Sequence, residues 1–168
     1  MIFDAHTHLN FEGFDEEERT QRAEEIAASD VGIIIDAGDS VASSRKAIED
    51  AETYSWCYAA VGIHPEHAAE YTEEDLARIE EMLAHRKVQA LGEIGLDFHY
   101  GKDTKEEQIE LFRKQLRIGM RHQVPVMIHT RDANQLTLDI LKEDGLFSEE
   151  QKAAFPTRPN ESGQPVPD

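Results

Sequence analysis

Apolar runs alternate with amphipathic stretches along most of this chain, and this rhythm restricts the fold more than any other feature of the sequence. Five runs rich in Val, Ile, Leu and Ala are predicted strands: MIFDAHTH, VGIIIDAG, WCYAAVGIH, VQALGEIGLD and VPVMIHTR. Helical stretches such as EERTQRAEEIAAS and TEEDLARIEEMLAHR lie between them. Such repeats predict a parallel sheet covered by helices. Right-handed crossovers then leave a doubly wound sheet or a (β/α) barrel.

Capping residues mark two helix starts and one helix end. The spans from Thr72 to Asp75 and from Thr104 to Glu107 predict capping boxes. Gly145 follows NQLTLDILKED, where a C-terminal cap is expected.

Polar residues gather where the predicted strands end, and this favours the barrel. They are His6 and His8, Asp36, His64, Glu93 and Asp97, and His129 and Arg131. The top face of a (β/α) barrel is built from the ends of several strands in this way. No Gly-rich phosphate-binding fingerprint follows the first strand, which weakens a dinucleotide-binding interpretation.

The number of repeats falls short of a closed barrel. A barrel needs eight strands and roughly 250 residues, whereas about five of the eight strand and helix units precede Gly145. We therefore expect residues 1–146 to form the N-terminal part of a barrel. Residues 147–168 are rich in Pro and polar residues toward their end and are predicted to be a poorly ordered loop or tail.

Composition excludes several classes of protein. The only cysteine, Cys57, permits no disulfide framework, so we expect a core role for it and a cytoplasmic location for the protein. No apolar segment approaches the roughly 20 residues of a membrane span. The net charge of −18 argues against an extended nucleic-acid-binding surface, although a small metal-lined pocket supplies its own positive charge.

Four residues of ligand type at the ends of three predicted strands indicate a metal site. Strict alternation places Asp4, His6 and His8 on one face of the first strand. Taken alone, the histidine pair is also compatible with two hydrogen-bonded polar residues near a strand end. Glu93 is similarly compatible with a carboxylate among loop amides, and His129 with a core histidine. Together they favour an ion, because burying them unpaired would cost several kcal/mol.

The sequence resembles the TatD family of metal-dependent hydrolases, whose characterised members are deoxyribonucleases. FDAHTHLN, AVGIHPEHA, ALGEIGLDFHYGK and VPVMIHTRDA resemble family motifs, in order, from Met1 to about Gly145. The resemblance implies a TIM-barrel fold of the metallo-dependent hydrolase type. It also implies two divalent ions, Zn, Mg or Mn, with His6 and His8 on one, His129 on the other, and Glu93 bridging them as the residue on which catalysis depends.

Other residues near the strand ends are expected to act around these ligands. His64 matches a family active-site histidine and is expected to face the substrate, and Arg131 is placed to bind a phosphate. Asp4, Asp97 and Asp132 are expected to orient ligands, with ordinary hydrogen bonding for Asp4 and helix capping for Asp132 as alternatives. The family's sixth-strand histidine motif and eighth-strand aspartate motif are not present in this sequence.

The resemblance implies two-metal activation of water for hydrolysis of phosphodiester bonds in DNA, with the DNA held in the active site. Two alternatives stay open at this point. One is an inactive fragment that binds metal weakly and self-associates through its open sheet. The other is an amidohydrolase-like enzyme acting on a cyclic amide or ester. It ranks lower because the fourth predicted strand contains no lysine that could be carbamylated.

Overall fold

The computed structural model describes residues 1–154, 157–159, 162 and 165–167. The strands are β1 (Ile2–Thr7), β2 (Val31–Ala37), β3 (Cys57–Val61), β4 (Val88–Asp97), β5 (Val126–Arg131), β6 (Thr157–Pro159) and β7 (Pro165–Pro167). The helices are α1 (Glu16–Ala27), α2 (Val41–Thr53), α3 (Glu73–Met82), α4 (Lys105–His122), α5 (Asn134–Glu143) and α6 (Glu149–Ala154), with a 3-10 turn at Pro65–His67.

The first five strands form one parallel sheet in the order β1-β2-β3-β4-β5. Each strand therefore pairs with its sequence neighbour. A doubly wound sheet reverses its strand order at a switch point, whereas a barrel adds strands in one direction. The sequential order confirms the barrel prediction, and the sheet is a curled half-barrel of five strands.

The main core lies between the sheet and its helices. Leu91, Ile94 and Leu96 of β4 are fully buried there against Phe112 and Leu116 of α4. A second apolar cluster joins Ile34 of β2 and Cys57 and Ala59 of β3 to helices α1 and α2.

The face of the sheet turned away from the helices carries its own apolar side chains. Ala37, Ala60 and Ala90 form a small cluster with Ile35 and Met127, and all five residues belong to strands. In a closed barrel this face is the packed interior.

Local capping follows the sequence in two of the three predicted places. Thr72 and Asp75 form the predicted capping box at the start of α3. Gly145 follows α5 with a φ of +82°, and the N–H of Leu146 reaches the carbonyl of Leu141 at 3.0 Å, as in a Schellman motif. The box predicted at Thr104 is wrong, because Thr104 makes no capping hydrogen bond and its hydroxyl instead accepts one from Gln108 Nε2 at 3.1 Å.

Residues 147–168, predicted as a loop or tail, contain regular structure in the part that is described. Helix α6 occupies residues 149–154, and β6 and β7 pair antiparallel in a separate two-stranded sheet. The rest of the predicted tail, residues 155–156, 160–161, 163–164 and 168, lies outside the described residues. The division of the chain after residue 146 stays a prediction.

The burial of one residue agrees with the sequence. Cys57 is fully buried, as expected for a core residue, and burial raises the pKa of its thiol to about 12. Within the described part of the chain, no helix is both long enough and apolar enough to cross a membrane.

Candidate metal centre

The ends of β1, β4 and β5 bring four predicted ligands together. His6 lies in β1 and His8 just beyond it, Glu93 lies in β4, and His129 lies in β5. Close approach of β4 to β5 depends on Gly95, which has a φ of +149° and whose missing Cβ would meet the backbone carbonyl oxygen of His129. The parallel arrangement thus places side chains that are far apart in sequence at the same end of the sheet, where the strands finish.

One group of potential ligands consists of His6, His8 and Glu93. Oε2 of Glu93 lies 3.2 Å from Nε2 of His6 and 3.6 Å from Nε2 of His8. Nδ1 of His8 lies 3.0 Å from the carbonyl oxygen of Ala37, which can only accept a hydrogen bond. When neutral, His8 therefore carries its proton on Nδ1 and presents the lone pair of Nε2 toward Glu93.

A second group consists of His64, Glu93 and His129. Oε1 of Glu93, the oxygen not used by the first group, lies 3.1 Å from Nδ1 of His129. The rings of His64 and His129 meet edge to face with centroids 4.4 Å apart. Within each group the potential ligand atoms lie within 4.8 Å of one another. Glu93 is the only residue shared by the two groups that the described residues form.

Asp97 holds His129 from the other side of its ring. Its Oδ2 lies 3.0 Å from Nε2 of His129, while its Oδ1 accepts hydrogen bonds of 2.8 Å from the backbone N–H groups of His99 and Tyr100. A carboxylate in this position fixes the orientation of the imidazole. The predicted role of Asp97 in orienting a ligand stays a prediction.

Electrostatics keep the shared carboxylate ionised. Burial raises the pKa of Glu93, but the hydrogen bond with His129 and the nearby imidazoles of His6 and His64 outweigh it and hold the pKa at about 2. The hydrogen bond with Glu93 in turn raises the pKa of His129. Burial, aided by His129, lowers the pKa of His64 to about 4, so that His64 is neutral at pH 7.

A cavity of about 280 Å³ opens beside these groups. His8, His64 and Glu93 line it, together with Asn10 and Asp39. Asn10 Nδ2 donates to the carbonyl oxygen of Ala37 at 2.9 Å, the same oxygen that His8 approaches. Neither Asn10 nor Asp39 was a predicted site residue. Their only signal in the sequence is position, since Asn10 lies two residues after His8 and Asp39 two residues after the end of β2.

His64 was expected to face the substrate. In the structure its candidate ligand atom lies within 4.8 Å of those of Glu93 and His129, and 9% of the residue is exposed. Its Nδ1 lies 3.3 Å from the backbone nitrogen of Glu66, from which it accepts a hydrogen bond. This leaves Nε2 as the protonated nitrogen of a neutral ring. In this tautomer the Nε2–H group can donate to a substrate, whereas binding a metal would require the other tautomer. The predicted role toward substrate stays a prediction.

Asp4 is not brought to an imidazole ring. The register between β1 and β2 shifts between Asp4 and Thr7, so strict alternation does not hold across this segment. Oδ1 of Asp4 instead accepts a hydrogen bond of 3.2 Å from the backbone N–H of His6. This contact matches the ordinary hydrogen-bonding alternative.

Asp132 and Arg131 lie at the exposed end of β5. Oδ2 of Asp132 is 3.2 Å from Nδ1 of His99, and the guanidinium of Arg131 lies over the ring of Tyr100 at 4.6 Å from its centroid. Asp132 does not cap α5, since the N-cap position is Ala133 and no side chain caps that end. Among the described histidines, His67, His85, His99 and His122 belong to neither ligand group.

Comparison with known proteins identifies the same family as the sequence motifs. The family model described as TatD related DNase matches residues 3–153. The chain is 44% identical over 147 residues to the uncharacterized metal-dependent hydrolase YabD of Bacillus subtilis, which covers 86% of this chain and 56% of the relative. It is 32% identical over 140 residues to the 3'-5' ssDNA/RNA exonuclease TatD of Cronobacter sakazakii, with 83% and 53% covered.

Solved structures match in the same way. The TatD homologue YjjV of Escherichia coli superposes with a TM-score of 0.75 at 32% identity, over 86% of this chain and 56% of that chain. A TatD family hydrolase from Entamoeba histolytica, at 24% identity and a TM-score of 0.71, supports the fold. The chain thus spans about half the length of the relatives that it matches.

Proposed function

Because this chain belongs to the TatD related DNase family, we propose that its metal centre hydrolyses phosphodiester bonds in DNA with two divalent ions. The observation that carries the proposal is that the two oxygens of the Glu93 carboxylate lie beside two different histidine groups. Oε2 lies 3.2 Å from Nε2 of His6, and Oε1 lies 3.1 Å from Nδ1 of His129. A carboxylate whose two oxygens approach two histidine groups is arranged to bridge two cations.

The chemistry of the donor set fits divalent cations. Imidazole nitrogens suit Zn²⁺, and an ionised carboxylate also suits Mn²⁺, whereas Mg²⁺ prefers a set of oxygen ligands. With a pKa of about 2, Glu93 supplies its negative charge at all physiological pH values. His6, His8 and Glu93 would hold one ion, and Glu93 and His129, with His64 beside them, the other.

The protein groups around the ions would hold the ions and orient the histidine rings that bind them. The ions would supply Lewis-acid activation of water and neutralise charge that develops on the phosphate. Asp97 fixes the ring of His129, and the carbonyl of Ala37 fixes the ring of His8. Arg131, exposed at the end of β5, would bind a phosphate oxygen as a charge-assisted hydrogen-bond donor.

The class of substrate is supported by the relatives and by charge. Relatives that the chain matches are named as ssDNA/RNA exonucleases. A net charge of −18 leaves phosphate binding to a local source of positive charge, which a pair of divalent ions provides. DNA held at the metal centre, without an extended nucleic-acid-binding surface, agrees with both observations.

The test of this proposal is the substitution Glu93→Gln. It removes the charge of the shared carboxylate and preserves its shape, so we expect binding of Mn²⁺ to weaken by more than about tenfold and hydrolysis of a single-stranded oligonucleotide to be lost. Isothermal titration calorimetry measures the first effect and gel analysis of a labelled oligonucleotide the second.

The matched control is Glu80→Gln. Glu80 also lies beside a histidine, with Oε1 at 2.6 Å from Nε2 of His122, but on the helical surface outside both ligand groups. This control is expected to bind Mn²⁺ as the unmodified chain does. Turnover that survives Glu93→Gln unchanged, or a chain that binds no divalent ion, would defeat the proposal.

A further inference from the structure

Two exposed aromatic side chains lie at the same end of the sheet as the metal centre. Phe11 is 56% exposed on the loop after β1, and Tyr100 is 66% exposed on the loop after β4. Phe11 also lines the cavity beside Glu93. Large aromatic rings in water are costly, since burying one is worth about 2 kcal/mol or more. Two of them on loops beside one site point to a ligand that covers aromatic rings.

The backbone ties both aromatic residues to candidate ligands. The N–H of Phe11 donates to the carbonyl oxygen of His8 at 3.2 Å. The N–H of Tyr100 donates at 2.8 Å to Asp97, the same carboxylate that lies 3.0 Å from His129. The position of each ring is therefore linked to the metal centre through one or two hydrogen bonds.

The side chain of Tyr100 is also oriented by its neighbours. The guanidinium of Arg131 lies 4.6 Å from the ring centroid, and the ring of His99 meets Tyr100 edge-on at 4.7 Å. The N–H of Phe98 donates to the carbonyl oxygen of Arg131 at 2.9 Å, which joins the loop after β4 to the end of β5. Tyr100 is thus a positioned ring that keeps two-thirds of its surface open.

The charge of the molecule makes such a ring useful. Proteins that bind single-stranded nucleic acid combine a positive groove with aromatic rings on which bases stack. This chain has 35 acidic and 17 basic residues, so it lacks the overall charge for a strong positive groove. Affinity that the backbone phosphates do not supply has to come from the bases.

We propose that Tyr100, backed by Arg131, stacks on an unpaired nucleobase adjacent to the phosphodiester held at the metal centre. This inference rests on the proposed function, because it assumes a nucleic-acid strand at that site. It adds that the protein recognises the strand through one of its bases. It also assigns Arg131 to the neighbouring phosphate. A stacked ring accepts every base, so the site is expected to bind single strands with little sequence preference.

The experiment compares two ligands of equal length, binding being measured with Mn²⁺ present by fluorescence anisotropy. One is a thymidine tetranucleotide with phosphorothioate linkages, which resists cleavage, and the other is the corresponding abasic strand. We expect Tyr100→Ala to bind the thymidine strand about tenfold more weakly and the abasic strand unchanged. Tyr100→Phe keeps the ring and is expected to restore binding. Phe147→Ala, which removes an exposed ring outside the site, serves as the control.

The outcomes are separable from those of the Glu93 test, because this measurement requires no turnover. Equal affinity of Tyr100→Ala and the unmodified chain for the thymidine strand overturns the stacking proposal. So does an equal loss for both strands, or an unmodified chain that does not distinguish them. If hydrolysis is absent but the preference for bases depends on Tyr100, the proposed catalysis fails and the stacking site stands.

Discussion

Asp36 is a carboxylate buried without a full set of partners. The residue is completely buried at the end of β2, and its Oδ1 accepts a hydrogen bond of 3.2 Å from the backbone N–H of Asn10. Its Oδ2 has no hydrogen-bond partner among the described residues. Burial raises the pKa of Asp36 to about 7, with a further contribution from Asp50. The sequence placed Asp36 among the polar residues at strand ends but did not reveal this burial.

The first prediction concerns pH. In the unfolded chain the pKa of an aspartate is about 3.9, so between that value and about 7 the folded state binds more protons than the unfolded state. The contribution of Asp36 to stability is therefore fully present at low pH and is lost as the pH rises through 7. Asp36→Asn should flatten this dependence, so that its stability relative to the unmodified chain improves from pH 5 to pH 8 by about 1–3 kcal/mol.

Urea denaturation at several pH values tests this expectation. Asp103→Asn provides the control, because Asp103 is exposed. The titratable groups near the candidate metal centre are common to all three chains, so only the difference between the chains reports on Asp36. Parallel curves of stability against pH for the unmodified chain and Asp36→Asn would contradict the assignment.

At the scale of elements, helix α4 positions two strand ends through buried glutamines. Gln108 and Gln115 are fully buried and lie two turns apart on the same helix. Gln115 accepts from the N–H of Ile63 at 2.9 Å and donates to its carbonyl at 2.8 Å. Gln108 makes the same pair of contacts with Asp97, at 2.8 and 3.0 Å. Each glutamine thus gives one backbone residue next to the candidate metal centre the pair of hydrogen bonds that a neighbouring strand would otherwise make.

The second prediction tests this support with Gln115→Met. Methionine has a similar length, but it leaves the N–H and C=O of Ile63 unpaired in the core, at about 1–3 kcal/mol for each unsatisfied group. We expect a loss of about 2–4 kcal/mol in the free energy of unfolding, measured by urea denaturation. Arg117→Met makes the same replacement at an exposed position of α4 and should change little. Equal stability of the two variants would show that the Gln115 contacts contribute nothing.

At the scale of the whole molecule, exposed apolar side chains concentrate at the two edges of the sheet. Eight large hydrophobic residues of the described part of the chain are exposed, and seven of them lie in or next to β1 or α5. These are Met1, Ile2, Phe3, Phe11, Leu136, Leu138 and Phe147. Strands β1 and β5 are the edge strands, and each presents unpaired backbone groups to a neighbour. Exposed edges with apolar side chains favour association.

The third prediction is that the 168-residue chain, prepared alone, self-associates in a concentration-dependent way. Sedimentation velocity over a range of concentrations measures this. Phe3→Lys places a charge on the edge strand β1 and should reduce association. Ala77→Lys adds the same charge at an exposed position of helix α3, away from both edges, and should not. A monodisperse monomer that unfolds cooperatively would contradict the prediction and would also count against the inactive-fragment alternative.

The elements and the ligand types were predictable because they depend on neighbouring residues. The period of two in a strand and of 3.6 in a helix can be read directly from residues such as those of β4 and α3. The predicted Thr104 capping box is absent, and the Thr104 hydroxyl instead accepts a hydrogen bond from Gln108, whose side chain also bonds to Asp97 at the end of β4. A capping pattern in the sequence does not show that second contact. Likewise, a bulge between Asp4 and Thr7 changed the alternation that local pattern implied.

The sequence by itself determined a sheet of βα units with imidazoles and a carboxylate at the strand ends. Only the tertiary structure decided that Glu93 directs one oxygen toward His6 and the other toward His129, and that His64 lies beside them. These distances join residues 36 to 87 positions apart. Local periodicity carries no information on such separations, because strand register, the close approach of β4 to β5 at Gly95 and the packing of α4 set them together.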